Sequence, residues 1–209
     1  MSRQKFVIAD THFSQASMCA FANDDGSSLR PWGRPVANWK EMSEEERLDL
    51  KPEFERYAAE MDEAMVDNWN KVVPKEGATV YHLGDVAMKE KQLPILNRLH
   101  GKKKLILGNH DIFSAKVYLQ YFYDVQACKV GDGIIMTHIP IHGDSIKQRW
   151  KANVHGHLHA GCVMMDDDKN CRVFNPRYLC VSVEQIGYTP LSWEDMMKRI
   201  DQQREGVVK

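Results

Sequence analysis

The chain has 209 residues, 43% of them hydrophobic and 27% charged, with a formal net charge of -1. That suits one globular domain with a sizeable core, and near-neutrality excludes a global pull onto nucleic acid or an anionic membrane surface, though not a local basic groove. Cys19, Cys128, Cys162, Cys171 and Cys180 form no C-x-x-C pair, which argues against a disulfide scaffold or zinc ribbon and makes a reducing cytosol the simplest home. The first residues lack a signal peptide's apolar core, and no apolar run approaches transmembrane length.

Taken in order, Phe6-Val7-Ile8-Ala9 runs into Asp10-Thr11-His12-Phe13, the pattern of a buried strand that stops at a polar loop. Asp10 and His12 are two apart, so a regularly continued strand would send both side chains off one face toward one ion. Residues 14–52 show no sustained periodicity. Within them Arg30, Trp32 and Arg34 are candidates to hold a phosphate and stack on a base, the alternative being a loop pinned by buried Trp32 and Trp39. Ser43 and Glu46 read as a capping box, and Pro52 as an interruption of that helix. From Glu53 a helix carries the apolar stripe Phe54, Tyr57, Ala58, Met61, Met65, Trp69 and Val72, until Pro74 and Gly77 stop it.

A second strand, Thr79-Val80-Tyr81-His82-Leu83, ends in Gly84-Asp85. A helix is predicted over 92–99, with Pro94 tolerable only in its first turn. Lys102-Lys103-Lys104 reads as a solvated strand entrance, with a nucleic-acid contact as the alternative. Strand three, Leu105-Ile106-Leu107, opens into Gly108-Asn109-His110-Asp111, the chain's densest bunching of metal ligands and proton carriers. A helix over 113–121 and a meander over 125–137 follow, ending in Thr137-His138-Ile139-Pro140. Ala152-Asn153-Val154 leads to His155-Gly156-His157-Leu158-His159, where alternation on an extended chain places His157 and His159 on a common side. Residues 172–175 and 179–183 read as closing strands, and a terminal helix begins near Trp193. His82, His100, His142 and His155 read as core or surface histidines, with outer support of a metal site or substrate contact as the alternative for His142 and His155.

Asp10, His12, Asp85, Asn109, His138, His157 and His159 all fall at or just past predicted strand ends. Two carboxylates, four imidazoles and an amide oxygen supply donors for two divalent ions sharing a bridging carboxylate. In order, Asp10-Thr11-His12, Gly84-Asp85, Gly108-Asn109-His110-Asp111, His138 and Gly156-His157-Leu158-His159 resemble the signature of the calcineurin-like metallophosphoesterases. The wider text, including Asp67-Asn68-Trp69-Asn70, is similar to small stand-alone members from bacteria and their phages.

The resemblance implies an α/β fold of two packed β-sheets flanked by helices, with metals at the strand ends. It implies a single domain over 1–209, in which residues 14–56 are a candidate lid or specificity insertion. By the same resemblance Asp10, His12, Asp85 and His159 hold one metal and Asp85, Asn109, His138 and His157 the other. Manganese is the first expectation, with iron, zinc or nickel as alternatives. A hydroxide held between the metals would attack phosphorus in line, and His110 would protonate the leaving oxygen. The expected partner is a phosphate ester, with a nucleotide or nucleic acid as candidates; no membrane is expected and no protein partner is inferable. A phosphodiesterase comes first, with a phosphomonoesterase, a nuclease or a non-catalytic metal-binding scaffold as alternatives. The chain departs from the family at Met88, where many relatives carry an acid that orients the catalytic histidine. Asp111 or a backbone carbonyl is expected to replace it. It departs again at Ser14-Gln15, where small relatives often have Gly-His.

Overall fold

The computed structural model describes residues 4–146, 149–166 and 172–206. Its strands are β1 (Gln4–Ile8), β2 (Ala78–His82), β3 (Lys102–Ile106), β4 (Asp124–Gln126), β5 (Lys129–Gly131), β6 (Ile134–Met136), β7 (Ala152–His155), β8 (Met164–Asp166), β9 (Arg172–Phe174), β10 (Tyr178–Cys180) and β11 (Leu191–Ser192). The α-helices are α1 (Glu44–Leu48), α2 (Lys51–Val72), α3 (Ala115–Tyr118), α4 (Gly143–Ile146) and α5 (Trp193–Arg204), and 3-10 turns cover Ala16–Cys19 and Glu90–Arg98.

One sheet has the order β11-β1-β2-β3-β4 and a second the order β10-β7-β6-β5; β8 and β9 form a separate ribbon. In the first sheet β1, β2, β3 and β4 run parallel, so all four deliver their carboxyl ends to one edge. The second sheet likewise runs β10, β7 and β6 parallel. Parallel strands are covered on both faces, which explains why Val7, Ile8, Val80, Leu105, Ile106, Val154 and Leu179 are buried in one cluster drawn from both sheets. The expected α/β architecture of two sheets with flanking helices holds. No helix among the described residues is long and apolar enough to cross a membrane. Cys19, Cys128, Cys162 and Cys180 are free thiols, and Cys171 lies outside the described residues.

Ser43 and Glu46 form the capping box of α1 as expected, and the helix is interrupted near Pro52: α1 ends at Leu48 and Pro52 occupies the first turn of α2, where its missing N–H would have no helical partner anyway. Several other local expectations are corrected. The α2 stripe is buried from Phe54 to Trp69 except for half-buried Tyr57, while Val72 turns outward and Val73 takes its place in the core. The helix expected over 92–99 is instead the 3-10 stretch Glu90–Arg98 with Pro94 inside it, and 113–121 contain only the short α3. The segment 125–130 is not one strand, because β4 pairs parallel with β3 in the first sheet while β5 pairs with β6 in the second. Asp132 and Gly133, with φ of 51° and 75°, make the tight turn of the β5–β6 hairpin. The lysine run forms the entering half of β3 itself, exposed to half-buried: Lys103 Nζ donates to Leu99 O at 3.0 Å, and Lys102 Nζ lies 4.7 Å from the Tyr123 ring centre.

Trp69 ties α2 to the start of β3. It is 1% exposed, and its indole N–H donates to His100 O at 3.0 Å, while Asn70 Nδ2 donates to Arg98 O at 2.9 Å and Asn70 Oδ1 accepts from His100 N at 2.9 Å. Trp69→Ala should lower unfolding free energy by about 3–5 kcal/mol in urea denaturation. A loss below about 1 kcal/mol would contradict this anchoring role.

Candidate metal centre

The strand registers bring the polar boxes together. Ile8 pairs with His82 and His82 with Leu105, so the loops carrying Asp10, Asp85 and Asn109 leave the same edge at nearly the same height. Main-chain bonds stitch them: Asp10 N donates to Gly84 O at 3.0 Å and His12 N to Asp85 O at 3.1 Å. The second sheet joins through Ala9 N to Val181 O at 3.0 Å, Val181 N to His155 O at 2.8 Å and Gly156 N to His138 O at 2.9 Å.

Two groups of potential ligands result, Asp10 with His12 and His159, and Asp85 with His138 and His157, each with its ligand atoms within 4.8 Å of one another. They do not converge by strand alternation. Asp10, His12, Asp85, His157 and His159 have φ of 58°, 46°, 56°, 70° and 50°, so left-handed turns aim the side chains. Asp and His tolerate this region better than most residues, yet each instance still costs on the order of 1 kcal/mol. His157 and His159, expected on a common side, are thereby sent to different clusters.

Asp85 stands between the two. Its Oδ2 lies 3.6 Å from His12 Nε2 and 3.4 Å from His138 Nε2, while Oδ1 accepts from His110 N at 2.9 Å. Asn109 Oδ1 lies 2.8 Å from His138 Nε2 and 2.9 Å from His157 Nδ1. Leu83 O sits 2.7 Å from His138 Nδ1 and Gln15 Oε1 sits 2.8 Å from His12 Nδ1; both oxygens can only accept, so each ring's proton is held there. In the neutral rings, the Nε2 lone pairs then point at carboxylate and amide oxygens, and His12 Nε2 is buried with no hydrogen-bond partner. Lone pairs converging from both sides suit a cation, and the mixed oxygen and imidazole donors suit two divalent ones.

The ionisation pattern agrees. Burial opposes a charge on Asp85, yet the hydrogen bond and charge of His138 outweigh it and hold the carboxyl well below its ordinary range. Burial also works against protonating His138 and His159, but Asp85 and Glu184 respectively outweigh it and raise both imidazoles. Burial lowers His12 and His157 below the ordinary imidazole range, which keeps their lone pairs open to a cation. Close approach also fixes the glycines: a Cβ on Gly108 would overlap Asp85 Oδ1 and lie 2.5 Å from Asp85 N, and one on Gly156 would overlap Asp10 Oδ2 and lie 2.7 Å from Ala9 Cβ.

Other expected site residues lie elsewhere. Arg30 is not a substrate contact: it is fully buried, with Nε 2.7 Å from Glu184 Oε1. Trp32 packs edge-on against Tyr188, with ring centres 4.8 Å apart, as in the alternative of a pinned loop. Arg34 is exposed but forked onto Glu53 at 2.8 and 2.9 Å. Asp111 does not orient the His110 ring, because its carboxylate accepts from the backbone N–H groups of Asp85, Gly108 and Val86 at 2.8, 2.8 and 3.1 Å. It braces the second box against the third. His110 is exposed at the rim, its ring edge-on to His12 with centres 5.8 Å apart.

Four supports were absent from the sequence reading. Ser182 Oγ donates to Asp10 Oδ2 at 2.7 Å, Glu184 Oε1 accepts from His159 Nδ1 at 3.0 Å, Thr11 Oγ1 meets His82 Nε2 at 3.0 Å, and Asp62 Oδ2 accepts from Ser14 Oγ at 2.6 Å. Glu184 carried a usable signal, an acid directly after an apolar strand run, the same pattern that marked Asp10 and Asp85. Of the remaining histidines, buried His155 donates Nδ1–H to Gly156 O at 2.7 Å behind the last box, and exposed His142 faces Asp144.

No family model matches the chain. It is 27% identical over 206 residues to an uncharacterized protein of Methanocaldococcus jannaschii, spanning 95% of this chain and 92% of that one. A crystal structure of a protein of unknown function from Aquifex aeolicus aligns with a TM-score of 0.53 at 22% identity, covering 93% of this chain and 98% of the other, and shows a shared fold. A solved archaeal phosphodiesterase aligns at a TM-score of 0.36 and 15% identity over 84% of each chain, too slight a likeness to carry an argument.

In the metal-free protein Asp10 is pushed up to about 6 by burial, against the opposing pull of His159, His138 and Ser182. A carboxyl whose folded pKa is raised favours folding while protonated, and that contribution is lost as pH rises through about 6. A cation bound at Asp10 reverses the balance. Manganese should therefore raise Tm more at about pH 7.5 than at about pH 5, and less in Asp10→Asn, by scanning fluorimetry. Equal shifts at both pH values would contradict a metal on Asp10.

Proposed function

We propose that this chain is a metal-dependent hydrolase of phosphate esters, a phosphodiesterase first, whose two divalent ions share Asp85. The observation that carries the reading is Asp85 Oδ2, set 3.6 Å from an imidazole nitrogen of one cluster and 3.4 Å from one of the other. A carboxylate so placed suits a bridge between two cations. Asp10, His12 and His159 would complete one position, and Asn109, His138 and His157 the other.

Ions bound there would supply Lewis acidity toward phosphoryl oxygens and a water of lowered pKa. The chain's own contribution begins with His110. Its backbone is tied to Asp85 Oδ1 while its imidazole stays exposed at the rim, so it can donate a proton to the departing oxygen. Asp111 holds the loop beneath His110 at a fixed height over Asp85. Residues 14–56 are the proposed specificity segment, reaching the centre through Gln15 on His12 Nδ1. A nucleotide-like substrate gains nothing from Arg30, Trp32 or Arg34 as they are placed. Diester preference over monoester rests on the family resemblance alone.

The test is hydrolysis of bis-p-nitrophenyl phosphate and p-nitrophenyl phosphate by metal-stripped protein refilled with manganese. The expected result is diester turnover that falls at least about 100-fold in Asp85→Asn. His110→Ala should lose about 10²–10⁴-fold in kcat while retaining its metals. A preference for the monoester would make the chain a phosphatase. No turnover of either compound with two ions bound would favour the binding scaffold.

A further inference from the structure

Among the described residues Arg30 is the largest charged side chain that is fully buried, and its guanidinium reaches three places at once. Nε lies 2.7 Å from Glu184 Oε1, Nη2 donates to Asp10 O at 2.8 Å, and Nη1 donates to Thr11 O at 3.3 Å. The same Glu184 oxygen accepts from His159 Nδ1 at 3.0 Å. One ion pair therefore grips the main chain that carries Asp10 and leads into His12, and also the ring of His159. Those are the three members of one cluster.

The other cluster is supported differently. His138 donates to the neutral carbonyl of Leu83 at 2.7 Å, and His157 leans on Asn109, which is exposed. The contrast has chemical content. A carboxylate accepts only, so His159 keeps its proton on Nδ1 and presents Nε2 as the free donor, and an imidazole bonded to a carboxylate is a stronger donor than one bonded to a neutral carbonyl. The guanidinium bonds also steady the left-handed turns at Asp10 and His12, whose φ values are 58° and 46°. Burying a guanidinium and a carboxylate carries a desolvation penalty that their attraction must first offset, and an apolar pair of equal volume often packs at least as stably. Stability alone does not account for the pair.

We propose that Arg30 and Glu184 are positioning residues that make the two metal positions unequal, holding the Asp10–His12–His159 position as the tighter one, filled first. The inference rests on the two-metal reading and adds an order of filling to it. Neither residue touches substrate; both act through the ligands they hold.

The experiment is calorimetric titration of the metal-stripped full-length protein with manganese, in wild type, Glu184→Gln, Arg30→Met and Asn109→Ala. Wild type should bind two ions of different affinity. Glu184→Gln, nearly isosteric with the native residue, should weaken the tighter binding by about 10–100-fold and leave the weaker unchanged, whereas Asn109→Ala should weaken only the other. Arg30→Met should match Glu184→Gln in direction, with circular dichroism reporting whether it folds; if it does not, Glu184→Gln alone decides. Equal weakening of both sites in folded Glu184→Gln, or weakening of neither, overturns the proposal. Wild type that binds fewer than two ions overturns instead the two-metal reading beneath it.

Discussion

The structure is built around one carboxylate. Asp85 Oδ1 holds the His110 amide and leaves no room for a Cβ on Gly108, while Oδ2 faces nitrogens from both histidine clusters. Burial works against a charge on such a group; His138, His12 and the His110 amide outweigh it and keep the carboxylate ionised. The parallel registers of β1, β2 and β3 bring three loops to its level, and the second sheet brings His138 and the last two histidines from the opposite side.

That convergence is strained, and the strain is contained. Five of the converging residues sit at positive φ, which would relax if the loops were free to move. They are not free. Backbone bonds join the first box to the second, Asp111 joins the second to the third, and Ser182, Glu184 and Arg30 join the first to the last. Strain held by so many independent links suits a preformed site whose donors need little reorganisation to accept a cation.

Much of this was legible in the sequence. The strand-then-polar rhythm located β1, β2, β3, β6 and β7, and the polar residues after them are the ones that come together. What stayed hidden has a common physical character: it depends on partners far along the chain. Arg30 in an irregular stretch looks like a free cation until Glu184 is packed onto it. Asp111 looks like the acid that orients His110 until three backbone N–H groups claim it. Alternation predicted that His157 and His159 point together, but period-two reasoning fails once the chain leaves the strand, and left-handed turns send them apart. The split of residues 125–130 between two sheets was equally invisible, since local pattern gives a strand's existence and not its neighbour.

The most direct test of the account is anomalous diffraction from crystals soaked in manganese. Two peaks are predicted, one among Asp10, His12 and His159 and one among His138, His157 and Asn109, with the Asp85 carboxylate between and touching both. A single peak with Asp85 on one side only, or metal bound elsewhere, would contradict the shared-carboxylate centre on which the functional reading stands.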